Sequence, residues 1–165
     1  MRALIIGLLT IGLFSWNCEN KTRTGTATTP SKELATPDFN VALGFINDYT
    51  NFCTKSGHPS KTGEWIGNNS MLTASFKNKY KKLLDSVQRK NPELGLDFDP
   101  IFDAQDFPEK GFSILKADTL SGYVTVVGND WKEFQLVLKL GQEDAKWLVD
   151  GAGAINIPED KRAKR

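Results

Sequence analysis

The chain is poor in the residues that most often mark chemistry. Its 165 residues include one histidine, His58, and two cysteines, Cys18 and Cys53. Two cysteines are too few for the disulfide framework of a small secreted scaffold, and they have no zinc-type spacing. A Ser-His-Asp or Cys-His arrangement would depend on the loop Gly57-His58-Pro59, whose composition is explained by the stopping of a helix. Excess charge of one sign is missing too: 21 Lys and Arg stand against 20 Asp and Glu. No global field therefore draws the protein to nucleic acid, and no nucleic-acid partner is expected. The chain also lacks a glycine-rich phosphate cradle, and Gly151-Ala152-Gly153-Ala154 is a small-residue connection rather than a dinucleotide fingerprint. Neither a cofactor nor a metal is expected.

What the chain does have is material for one core, with 39% hydrophobic and 10% aromatic residues. Met1-Arg2 is followed by an apolar run from Ala3 to Trp16 that ends at Asn17-Cys18-Glu19-Asn20. A membrane-crossing helix needs about 20 apolar residues, so this run has the length of a signal peptide, assigned to residues 1–17. Cys18, directly behind it, lies where a lipoprotein signal places its lipidated cysteine, although Phe14-Ser15-Trp16-Asn17 departs from the usual Leu and small residues. The alternative is ordinary cleavage, with Cys18 free or bridged to Cys53. With Cys18 lipidated, Cys53 becomes a small buried hydrophobe on the first helix. The localisation expected is export: periplasmic, anchored through Cys18, or secreted.

Residues 18–37, dominated by Thr, Lys and Pro, read as a flexible tether. Thr36-Pro37-Asp38 supplies the start of a first helix, with Phe39, Ala42, Leu43, Ile46, Tyr49 and Cys53 on one face. Ser60 to Asn69 reads as a loop carrying Trp65. A second helix spans about 70–90, with an apolar stripe through Leu72, Phe76, Tyr80, Leu83, Leu84 and Val87. Its basic face, including Lys79, Lys81 and Lys82, is either a solvated surface or a dock for an acidic partner. Beyond Pro92 the period becomes two. Strands are expected over Phe112–Ala117, Gly122–Val127, Glu133–Leu140 and Lys146–Asp150, joined by short turns as an antiparallel meander. The fold class is therefore α+β, two N-terminal helices on a curved four-stranded meander, over residues 38–157. Residues 158–165 form a basic tail expected to fray.

The most distinctive segment is Leu96-Asp97-Phe98-Asp99-Pro100-Ile101-Phe102-Asp103-Ala104-Gln105-Asp106-Phe107-Pro108, where acids alternate with large apolar residues. Three roles compete: a calcium-type site, a ligand pocket, and a connection whose acids cap turns. Calcium is disfavoured, because Ile101 stands where an EF-hand loop needs an oxygen ligand. Closely spaced carboxylates could also supply a general base if two of them met. The candidate pocket or interface residues are Trp65, Asp97, Asp99, Asp103, Gln105 and Asp106.

Three blocks carry a resemblance: Met71-Leu72-Thr73-Ala74-Ser75-Phe76-Lys77 with Tyr80, then Leu96 to Asp106, then Lys146-Trp147-Leu148-Val149-Asp150. Together they resemble an uncharacterised family of bacterial envelope proteins with the cone-shaped α+β fold of nuclear transport factor two. The resemblance spans about residues 38–157. It implies a lipoprotein or secretory signal and no established activity. The wider fold hosts isomerases and dehydratases as well as non-catalytic binding modules, so fold alone does not choose. The expectation is a non-catalytic module for an envelope protein partner or a small ligand, with membrane contact through Cys18 if it is lipidated. The alternative is an isomerase- or dehydratase-like enzyme using Asp99, Asp103 or Asp106 as base. Asp118-Thr119-Leu120, and more weakly Asp85-Ser86-Val87, also resemble a short O-glycosylation motif of some Bacteroidetes-type bacteria.

Overall fold

A computed structural model of the chain describes residues 36–56, 61–90 and 95–164. The apolar N-terminal run, Cys18, the tether up to residue 35, and His58 lie outside the described residues. The order of elements is α1 (Phe39–Ser56), α2 (Thr62–Asn68), α3 (Ala74–Lys90), β1 (Phe112–Ala117), β2 (Tyr123–Gly128), β3 (Gln135–Glu143) and β4 (Lys146–Ala152). The four strands form one antiparallel sheet in the order β1-β2-β3-β4. The chain is thus α+β, and the meander follows the sequence expectation. Among the described residues three helices precede it, not two.

Helix α1 forms because its apolar residues recur at helical spacing: Ala42, Phe45, Ile46 and Tyr49 are all fully buried. Burying each of the larger ones contributes roughly 1.5–3 kcal/mol, so tertiary packing rather than intrinsic propensity holds the helix. The helix begins two residues later than Thr36-Pro37 suggested. Asp38 caps it, its Oδ1 accepting the Asn40 N–H at 3.1 Å. The stretch expected to be a loop holds α2. Its seven residues include two glycines and too few apolar positions to show a helical period, which is why the pattern was silent there.

Helix α3 starts at Ala74 rather than near Ser70, because the residues before it extend along the sheet. Leu72 bridges Val149 in parallel, Val149 N–H donates to Met71 O at 2.8 Å, and Thr73 N–H donates to Val149 O at 3.1 Å. Thr73 then caps α3, its Oγ1 accepting the Phe76 N–H at 3.0 Å while donating to Asp150 Oδ1 at 2.9 Å. The β4 edge is covered in this way. The β1 edge is not: only Phe112 of that strand is buried, and Ile114 and Leu115 are exposed.

The core lies between α1 and the sheet, with Phe102, Phe112 and Phe134 joining Phe45 and Tyr49. Tyr49 and Phe102 pack at 5.0 Å between ring centroids, and Phe102 stacks on Phe107 at 4.4 Å. Phe98 to Pro108 is therefore a working part of the core as well as an acidic connection. Its backbone is fixed to the end of β4, where Ala154 N–H donates to Pro100 O at 2.8 Å. Gly153 sits at φ +55°, and a Cβ there would strike Ile101 O and approach Pro100 O to 2.8 Å. Only glycine permits this approach.

The tail expected to fray is tied down over its described residues. It makes a 3-10 turn at Glu159–Lys161, and Arg162 donates from Nε to Ile157 O at 3.1 Å and from Nη2 to Ala154 O at 3.4 Å. Composition marks a basic tail but says nothing of the carbonyls waiting for it. Among the described residues no helix is long and apolar enough to cross a membrane.

Candidate functional site

Asp99 is the centre of the acidic connection. Its Oδ1 accepts the N–H groups of Ile101 at 2.8 Å and Phe102 at 2.9 Å, an Asx cap. Asp99 and Ala104 also exchange backbone hydrogen bonds of 2.8 and 3.3 Å, closing the turn. On the other carboxylate oxygen, Oδ2 accepts the Tyr49 hydroxyl at 2.5 Å. Tyr49 is fully buried, so this acceptor is what lets its phenol enter the core.

Burial pushes the Asp99 carboxyl above the usual carboxylate range, against the hydrogen bonds from Tyr49, Phe102 and Ile101, which pull it down. The same burial, with the Asp99 charge next in importance, raises the Tyr49 and Tyr80 phenols. Cys53 is half-buried on α1, makes no disulfide among the described residues, and has its thiol pushed up to about 11, chiefly by burial. That fits a packed cysteine rather than a reactive one.

Beside Asp99 lies a cavity of about 460 Å³, lined by Thr62, Tyr80, Leu84, Leu96, Asp97, Phe98, Asp99, Pro100 and Gln105. Helices α2 and α3 supply one wall and the connection supplies the other. Tyr80 is 5% exposed, and its hydroxyl makes no hydrogen bond among the described residues. Most of the Tyr80 side chain is buried, but its hydroxyl still reaches solvent at the cavity; the sealed polar atom without a partner among the described residues is Trp147 Nε1.

Of the residues singled out from the sequence, the structure brings together Asp97, Asp99 and Gln105 and separates the rest. Asp103 adopts φ +55° and faces the tail, where Arg162 Nη1 lies 3.9 Å from its Oδ1. Asp106 is exposed. Trp65 does not line the cavity. It packs on Phe45, Tyr49 and Phe52 at 5.3 to 6.0 Å and borders a separate hollow of about 410 Å³ with Lys61 and Glu64. The alternation of acids along the segment could not show this, because a turn rather than a strand or helix presents them.

The residues missed were Tyr49 and Tyr80. Both stand as rungs of apolar stripes, and the available signal is a phenol hydroxyl on a stripe made mostly of hydrocarbon. Among the described residues no three His, Cys, Asp or Glu side chains stand close enough to hold a metal ion.

A wider hollow, about 640 Å³, lies under the β1–β2 hairpin and is lined by Lys116 to Ser121, Tyr123, Thr125, Val137 and Lys161. Larger volume does not make it the better site. The hairpin residues that line it are exposed, and Asp118, its one carboxylate, is engaged by its own turn.

In comparisons with protein families, curated proteins and solved structures, none matches the chain.

Proposed function

We propose that the chain is an exported bacterial envelope module, non-catalytic and built on a cone-shaped fold like that of nuclear transport factor two, that binds a small ligand in the Asp99–Tyr80 cavity. The observation that carries this reading is a cavity in which the partly buried Asp99 carboxylate and the Tyr80 hydroxyl, which has no partner among the described residues, stand beside Leu84, Leu96, Phe98 and Pro100. A volume of about 460 Å³ falls within the range typical of small-molecule sites, about 300–1,000 Å³. That favours a small ligand over a protein partner at this place. Export rests on the apolar run before Cys18, with membrane attachment through a lipidated Cys18.

An isomerase- or dehydratase-like enzyme with Asp99 as base has one observation in its favour, the raised pKa beside a cavity. Against it, three donors already occupy that carboxylate, neither Asp103 nor Asp106 lines the cavity, and the other carboxylate that does, Asp97, is exposed.

The test is native mass spectrometry of the protein purified from its own cells, compared with Leu84→Trp, which fills the cavity. A small-molecule mass carried by the wild type and lost from the variant supports the reading; identical masses overturn it. Labelling with a radioactive fatty acid checks the anchor: Cys18→Ser is expected to lose the label.

A further inference from the structure

We infer that the ligand of the Asp99–Tyr80 cavity is an organic ammonium ion, a primary amine on an apolar body; this rests on the reading of the cavity as a ligand site. Charge comes first. Asp97 and Asp99 both line the cavity, and no Lys, Arg or His among the described residues does so. Among the described residues, the side-chain ion pairs Lys139 with Asp150 and Arg162 with Asp103 lie elsewhere. A partly buried carboxylate without a cation is costly to keep ionised, and an incoming cation would remove that cost. Burial already holds the Asp99 carboxyl above its ordinary range, the direction a bound cation would reverse.

The oxygen inventory comes second. An ammonium group donates three hydrogen bonds and accepts none. The cavity offers acceptors to match: the one acceptor site of the Asp99 carboxylate left beside its three donors, the Tyr80 hydroxyl, the Asp97 carboxylate and the Gln105 amide oxygen. An anion would meet two like charges there. A neutral ligand would leave the Asp99 charge as uncompensated as before. Leu84, Leu96, Phe98 and Pro100 supply the apolar wall along which a hydrocarbon body would lie.

Three probes of one shape separate the possibilities: hexylamine, hexanol and hexanoate, titrated by calorimetry into the full chain. Hexylamine is expected to bind saturably and at least tenfold more tightly than the other two. Asp97 is exposed, so Asp97→Asn removes charge without disturbing the fold and is expected to weaken hexylamine several-fold while leaving hexanol unchanged. Tyr80→Phe removes one acceptor and is expected to weaken the amine in the same way. Hexanol or hexanoate binding as tightly as hexylamine would overturn the ammonium assignment and leave the cavity as a site for another class. Binding by none of the three would overturn the assignment as well; the cavity reading itself would fall only if the purified protein carried no mass that Leu84→Trp loses.

Discussion

Two turns of this protein use the same local chemistry in opposite surroundings. At Asp99 one carboxylate oxygen accepts the N–H groups two and three residues on, and the other accepts a hydroxyl, that of Tyr49. At Asp118 the arrangement repeats, with Oδ1 accepting Leu120 N–H at 3.0 Å and Ser121 N–H at 3.4 Å, and Oδ2 accepting the Ser121 hydroxyl at 2.6 Å. The hydrogen bonds are equivalent, and in both turns they favour the charged form. Yet Asp99 is raised above the ordinary carboxylate range, and Asp118, fully exposed, is lowered by its bonds to Ser121 and Leu120. Burial decides the sign. The same capping motif is a solvated turn in one place and the lining of a cavity in the other.

The largest expected contrast between the two turns lies in their hydrophobic neighbours. Phe102, inside the first turn, is fully buried, whereas Leu120, inside the second, is 98% exposed. Phe102→Ala is expected to cost about 3–5 kcal/mol, and Leu120→Ala to stay within about 0.5 kcal/mol, read from denaturant midpoints. Equal costs would break the comparison.

The caps themselves come next. Asp99→Ala strands two N–H groups and the buried Tyr49 hydroxyl and is expected to cost about 3 kcal/mol. Asp118→Ala leaves its donors open to water, so its midpoint should move much less.

The two tyrosines near Asp99 sharpen the contrast further. Tyr49→Phe deletes the 2.5 Å hydrogen bond and is expected to cost about 1.5 kcal/mol. Tyr80→Phe deletes a hydroxyl with no partner among the described residues and is expected to stay within about 0.5 kcal/mol.

The smallest effect is in pH dependence. Asp99 binds its proton more tightly in the folded state than in the unfolded chain. Its contribution is therefore present below the unfolded carboxylate pKa of about 4 and is lost as pH rises through the raised folded value. Asp118 runs the other way: its contribution is present above about pH 4 and is lost as pH falls through its lowered folded value. Melting temperatures across this range should show the wild type losing ground to Asp99→Asn as pH rises. For Asp118→Asn the wild type should gain ground instead.

How far all this could be read from the sequence follows from the same contrast. Period-two runs located the four strands within a few residues, and the i, i+3, i+4, i+7 pattern located α1, because both periods report burial of one face. Helix α2 left no such pattern. The delayed start of α3 depended on Met71 to Thr73 pairing with β4, a long-range contact that no local window contains. The acidic segment as a whole was legible, since acids repeated among aromatics demand a reason; the place of Asp99 within it was not. Nor was its company: Tyr49 lies 50 residues away and Tyr80 on another helix. Nothing local separates Asp99 from Asp103, although one lines the cavity and the other pairs with Arg162.

The most direct test is a carbon-13 NMR titration of the side-chain carboxyls, comparing Asp99 with Asp118 in one sample. Asp99 titrating above the ordinary carboxylate range and Asp118 below it would bear out burial as the factor that turns a capping aspartate into a cavity-lining one. If both titrate together, or Asp99 titrates the lower, the account is contradicted and Asp99 is a solvated cap like its counterpart.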